Sequence, residues 1–230
     1  MLIGILETGH APDTLRDAHG TYPEMFEKLL SGRGFEFRTW SVVDMDFPAD
    51  VHQADGWLIT GSRFGAYDDL PFIAPLESFI RDAHAAGIPM VGVCFGHQII
   101  AQAMGGKVEK FGGGWSVGPR RYSIAGRDFM LHAWHQDQVV DPPEGATVIG
   151  ESDFCRFAAM AYDDWALTVQ PHPEYDASFI QGLIRTRGKG VVPDPLLKDA
   201  QARLALPTDS QSMAEMIADF FLKPREAAHG

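Results

Sequence analysis

An apolar run, Pro89-Met90-Val91-Gly92-Val93, ends in Cys94 and opens at once into Phe95-Gly96-His97-Gln98. The run reads as a buried strand and its continuation as a helix, which puts the sulfur on a tight strand-to-helix turn. Gly92 and Gly96 flank the cysteine and carry no Cβ, relieving crowding where a strained turn must lift a side chain above a sheet. A helix N-terminus offers free N–H groups and roughly half a positive charge, and both favour thiolate over thiol. Cys94 is therefore expected to be an acidic, exposed nucleophile. The N–H of Phe95, one residue on, is placed to hold the oxygen of a carbonyl under attack.

A second stretch, Gln170-Pro171-His172-Pro173-Glu174, follows the apolar run Ala166 to Val169. Prolines on both sides restrict the backbone of His172, so its ring can be held in place. Glu174 can bond one ring nitrogen and leave the other facing a thiol, completing a Cys94, His172, Glu174 relay suited to acyl transfer. Either stretch alone has a plainer reading. A cysteine after a strand is usually a small buried hydrophobe, and a histidine in a proline-rich loop usually sits at the surface. Both together, each at the end of an apolar strand, point to chemistry.

The elements that must position these groups alternate. Apolar strands are expected at residues 1 to 6, 35 to 42, 56 to 60 and 88 to 93, with helices between them. Thr21 and Glu24 form a capping-box pattern ahead of Met25, Phe26, Leu29 and Leu30. A helix is expected from about Phe72 to Ala86, capped by the Asp68-Asp69 pair, and another from Phe95 to Met104. Alternation of this kind predicts an α/β fold, an open and mostly parallel sheet flanked by helices. From Lys107 to Val169 the runs are short and strand-like (121–124, 146–149, 157–162, 166–169), predicting a small antiparallel or mixed sheet. After Asp176 a helical C-terminal tail is expected, with segments near 179–187, 196–204 and 213–222.

In these motifs the sequence resembles the class I (triad) glutamine amidotransferases, whose G-x-C-x-G-H-Q and H-P-E patterns are matched by Gly92 to Gln98 and by His172 to Glu174. The likeness spans about residues 1 to 176. Within that family it is most similar to stand-alone proteins like the glutaminase domain of GMP synthase, through Leu58-Ile59-Thr60-Gly61-Ser62 and Tyr67-Asp68-Asp69. The resemblance implies a flavodoxin-like class I glutaminase architecture over a single domain, residues 1 to 230, with a catalytic core to about 176 and an extension from 177. It implies a second oxyanion N–H at Ser62, beside Gly61, in a loop reading Gly61-Ser62-Arg63 where the family often has Gly-Gly-Pro. It also implies substrate contacts from Gln98 and from His135, Gln136 and Asp137, where the family often has His-Gly-Asp. The activity it implies is hydrolysis of the glutamine side-chain amide through a Cys94 thioester, with ammonia passed to a partner synthetase. The alternatives are a stand-alone γ-glutamyl peptidase with the same triad, or a non-catalytic binding module on the same fold. The chemistry requires no metal or organic cofactor.

Composition narrows the partners. Nineteen Lys and Arg against 31 Asp and Glu give a formal net charge of −12, which repels phosphate backbones and anionic membranes. Nucleic acid and membrane are therefore not expected as partners; a small-molecule substrate is, and a homodimer is allowed. No apolar run reaches the roughly 18 residues of a membrane helix. The start, MLIGILETGH, lacks the features of a signal peptide, so a cytoplasmic location is expected. Two cysteines cannot build a disulfide framework, and Cys155 reads as core. Gly112 to Gly114 has no Gly-Lys-Ser/Thr after it and reads as a turn. His132 and His135 could be ligands only if their segment were helical, whereas it reads as strand and loop.

Overall fold

The computed structural model describes residues 1–224. In chain order, β1 (Leu2–Leu6) leads to α1 (Asp13–His19) and α2 (Tyr22–Leu29); β2 (Glu36–Trp40) and β3 (Gly56–Ile59) precede α3 (Ile73–Ala85). Then β4 (Met90–Val93) runs into α4 (Phe95–Ala103). The strands β5 (Lys107–Lys110), β6 (Ser116–Ile124), β7 (Arg127–His135), β8 (Asp137–Asp141), β9 (Thr147–Glu151), β10 (Ala159–Tyr162) and β11 (Ala166–Val169) follow. The tail holds α5 (Ala177–Leu183), continued by a π-turn over Ile184–Gly188, then α6 (Asp194–Arg203) and α7 (Ser210–Leu222).

Strands β2, β1, β3, β4 and β11 lie side by side and parallel. Every residue of β3, β4 and β11 is buried, as expected of strands covered on both faces. One face packs against α3 and α4 through Trp57, Phe79, Phe95 and Ile100. The other carries Phe26, Ile217 and Phe221 from α2 and α7. Helix α2 has the expected capping box: the Thr21 N–H donates to Glu24 Oε2 at 2.6 Å and the Glu24 N–H to Thr21 Oγ1 at 3.4 Å. The apolar stripe of α7, Met213, Ala214, Ile217 and Phe221, is spent within this core.

The region after α4 differs from the sequence expectation. Strands β10, β9, β6 and β7 continue antiparallel from β11, so one nine-stranded sheet results, and only β5 and β8 pair separately. β11 has β4 on one edge and β10 on the other, which no local pattern announces. β6 and β7 form a nine-residue hairpin closed by Ala125 and Gly126 at φ 50° and 75°, as in a type I′ turn. Asp68 does not cap α3. The helix begins at Ile73 after Phe72, without a side-chain cap, and Asp68 Oδ2 instead accepts from Gly65 N at 2.9 Å to close a turn. Among the described residues no helix is long and apolar enough to cross a membrane.

Candidate active site

The site lies at the carboxyl ends of β3, β4 and β11, where open α/β sheets leave a crevice. Cys94 sits between β4 and α4 at φ 53°, ψ −101°, a conformation that costs about 1–3 kcal/mol in a non-glycine residue. Its N–H donates to Val169 O at 2.9 Å and its carbonyl accepts from Gln98 N at 3.1 Å, so both sides of the turn are tied down. A Cβ on Gly96 would lie 2.3 Å from Ile59 O, and one on Gly92 would lie 2.5 Å from the Gly96 carbonyl oxygen. Only glycine allows this approach. The expected exposure is not found: Cys94 is 5% accessible and lies at the floor of a cleft.

His172 leaves β11 and is held by a bridge to β7, its N–H donating to His132 O at 2.8 Å. Its Nδ1–H donates to Glu174 Oε1 at 2.7 Å, with both side chains almost fully buried, and the ring shares a second hydrogen bond with the Cys94 sulfur. Burial works against a charged ring, but the Glu174 carboxylate and the Cys94 sulfur outweigh it and push the imidazole up to about 10. Tyr175 stacks on the His172 ring at 4.0 Å and 7° and shares a hydroxyl hydrogen bond with Tyr22. Burial raises both phenols.

Gly61 backs the imidazole: a Cβ there would lie 2.9 Å from His172 Cε1. Ser62 lines the cleft, and its hydroxyl donates to Thr8 O at 2.7 Å and accepts from Phe64 N at 3.2 Å, fixing the loop after β3. Phe95 buries its ring near Phe72, while its N–H, first in α4, has no partner in the helix ladder. Gln98 Nε2 donates to Asp137 O at 2.8 Å and Gln170 Oε1 at 3.1 Å. His135 Nδ1–H donates to Asp137 O at 3.3 Å, and burial lowers that ring to about 3, keeping it neutral. Burial raises the Asp137 carboxyl despite a hydrogen bond from Tyr67, whose phenol is itself pushed up to about 12 by burial and Asp137. Gln136 Nε2 donates to Phe111 O at 3.3 Å. Cys94, His172, Ser62, Gln98, His135, Gln136 and Asp137 therefore border one cleft of about 610 Å³. Glu174 lies behind His172.

His132 does not join them. It faces the far side of the His172 loop, lowered to about 4 by burial, and among the described residues no group of His, Cys, Asp or Glu is arranged to hold a metal. Cys155 is buried in the core beside Tyr122, its thiol pushed up to about 12 by burial. Gln170 and Tyr175 are neighbours of the His172 motif that sequence reasoning passed over. Trp115 and Trp134, seen only as core or pocket aromatics, are cleft wall.

A thiol on a strained strand–helix elbow, backed by a buried histidine–carboxylate pair, defines a class of α/β protein equipped for acyl chemistry. The chain belongs to the class I glutamine amidotransferase family, whose sequence profile matches residues 14–181. It is 28% identical to γ-glutamyl peptidase 2 of Arabidopsis thaliana, over 93% of each chain. It is 33% identical to the glutamine-hydrolysing subunit of GMP synthase from Halobacterium salinarum, over 69% of this chain and 86% of that one. The crystal structure of a glutamine amidotransferase from Methylobacillus flagellatus superposes with a TM-score of 0.77 at 25% identity, covering 100% of this chain and 97% of that one. These relatives bear the names of hydrolytic and amide-transferring enzymes.

Proposed function

We propose that the protein hydrolyses the side-chain amide of glutamine or of a γ-glutamyl compound, with Cys94 as nucleophile. The observation that carries this reading is His172, bonded at once to Glu174 and to a Cys94 held at positive φ. In the first half-reaction the Cys94 sulfur bonds to the amide carbon, and the Phe95 and Ser62 N–H groups hold the oxyanion. The C–N bond then breaks, with the His172 imidazolium giving its proton to the departing ammonia or amine. In the second half, His172 takes a proton from water, hydroxide adds to the thioester, and the C–S bond breaks to free glutamate. Glu174 keeps the imidazole oriented throughout.

Gln98, His135, Gln136 and Asp137 are assigned to the glutamyl moiety. Residues 1 to 176 form the catalytic core and residues 177 to 230 its extension within one domain. Two unpaired cysteines suit a reducing, cytoplasmic setting. Transfer of ammonia to a synthetase partner is supported by the GMP synthase relative. A γ-glutamyl peptidase role is the second reading, favoured because that relative matches 93% of the chain, tail included, while the GMP synthase relative matches 69%. Release of glutamate and ammonia from glutamine, run beside γ-glutamyl peptides with Cys94→Ala as blank, separates the two. Cys94-independent turnover would overturn both.

A further inference from the structure

Part of the cleft wall comes from the tail. Leu183, Thr186, Arg187, Lys189 and Val191 all border the cleft and all follow residue 181, where the family match ends. Beside them stand Trp115 and Trp134, indole centroids 6.5 Å apart. The charge of this lining is unlike the rest of the chain. Apart from the cysteine and histidines, it contains the cations Arg63, Lys110, Arg187 and Lys189 against the carboxylates Asp68 and Asp137, in a protein of net charge −12. Among the described residues none of these cations forms an ion pair. Arg187 is fixed, its Nη2 donating to His10 O at 3.4 Å. Both carboxylates are engaged, Asp68 with Gly65 N and Asp137 with the Tyr67 hydroxyl.

Glutamine is a zwitterion. Its carboxylate and ammonium need one cation and one anion, and would leave the cleft with cationic groups unmatched. We propose that Arg187 and Lys189 form a subsite for a carboxylate carried on the leaving amine, with Trp115 and Trp134 holding its apolar part. The substrate class is then a γ-glutamyl amide of an amino acid or short peptide with a free C-terminal carboxylate, the amine leaving after protonation by His172. This rests on the amide-hydrolysis reading above.

The test compares γ-glutamyl-leucine with its C-terminal amide, by kcat/KM on the native protein and by calorimetric binding to the Cys94→Ala protein. Charge-assisted hydrogen bonds of this kind are expected to favour the acid by about 10- to 100-fold. That ratio should fall toward one in Arg187→Gln, in Lys189→Gln, and at high salt, which screens exposed charges. Lys189 is exposed, so its replacement keeps the test open if Arg187→Gln fails to fold. Equal use and binding of acid and amide would overturn the subsite while Cys94-dependent turnover left the amidase reading standing. Acid-selective binding without turnover would keep the subsite and overturn the catalytic reading.

Discussion

Replacing Glu174 by glutamine keeps the shape of the side chain and removes its charge. In the native protein Glu174 Oε1 accepts from His172 Nδ1 at 2.7 Å, and the two side chains are 1% and 3% accessible. A hydrogen bond to a charged group is worth about 1.5–3 kcal/mol, and 1.36 kcal/mol is tenfold, so kcat/KM should fall by about 10- to 100-fold. The pH profile gives a second readout. With Glu174 present the imidazole is pushed up to about 10, so it can act as acid through neutral pH. Without the carboxylate, burial dominates and lowers the ring, and the alkaline limb of kcat/KM should move down toward neutrality.

Stability follows with a definite sign. The folded state holds its proton more tightly than the unfolded chain, so His172 contributes stability that is full below about pH 6.5. That contribution is lost as pH rises through about 10. Urea midpoints measured at neutral and alkaline pH should therefore fall more steeply for the native protein than for Glu174→Gln. A variant with kcat/KM within about threefold of native and an unmoved alkaline limb would refute the assignment of Glu174 as the group that orients and charges the base.

Cys94→Gly should abolish turnover yet raise stability by about 1 kcal/mol, because glycine relieves the φ of 53° at the elbow; a lower urea midpoint would contradict the strain. Gly96→Ala, whose Cβ would meet Ile59 O at 2.3 Å, should destabilise by about 1–3 kcal/mol and disable the elbow, as thermal melts and turnover would report. Tyr175→Leu removes the ring stacked on His172 and should cut kcat/KM by about 2- to 10-fold while lowering the alkaline limb. Tyr175→Phe keeps the ring and should rescue both, whereas equal defects in the two variants would assign the effect to the hydroxyl shared with Tyr22.

The parallel half of the sheet was legible because β3, β4 and β11 are buried on both faces and so read as unbroken apolar runs. Helix α1 was not, since Leu15 is its one buried residue and its charged sequence looks like loop. The β6–β7 hairpin was half seen: Gly118 and Pro119 interrupt its first strand, and both residues ordinarily argue against a strand interior. At Asp68 a good capping residue was read one element too far, because the backbone uses it for a turn before the helix starts.

The triad was legible for a related reason, and its limits are physical too. β4 and β11 are parallel neighbours with Val93 opposite Val169, so the residues that follow each strand, Cys94 and the His172 loop, emerge side by side. Strands in a sheet lie roughly 4.8 Å apart, which brings a thiol and an imidazole into contact without any special loop. Two chemical residue types at the ends of two apolar runs therefore carry the inference almost unaided. Tyr22, Arg187 and Lys189 have no such anchor in the sequence. They reach the cleft from α2 and from the turn after α5, elements whose apolar faces predict where they pack but not what their polar edges border. Reaction type is thus written at the strand ends, while the choice of substrate is set by side chains that only the tertiary packing brings to the cleft.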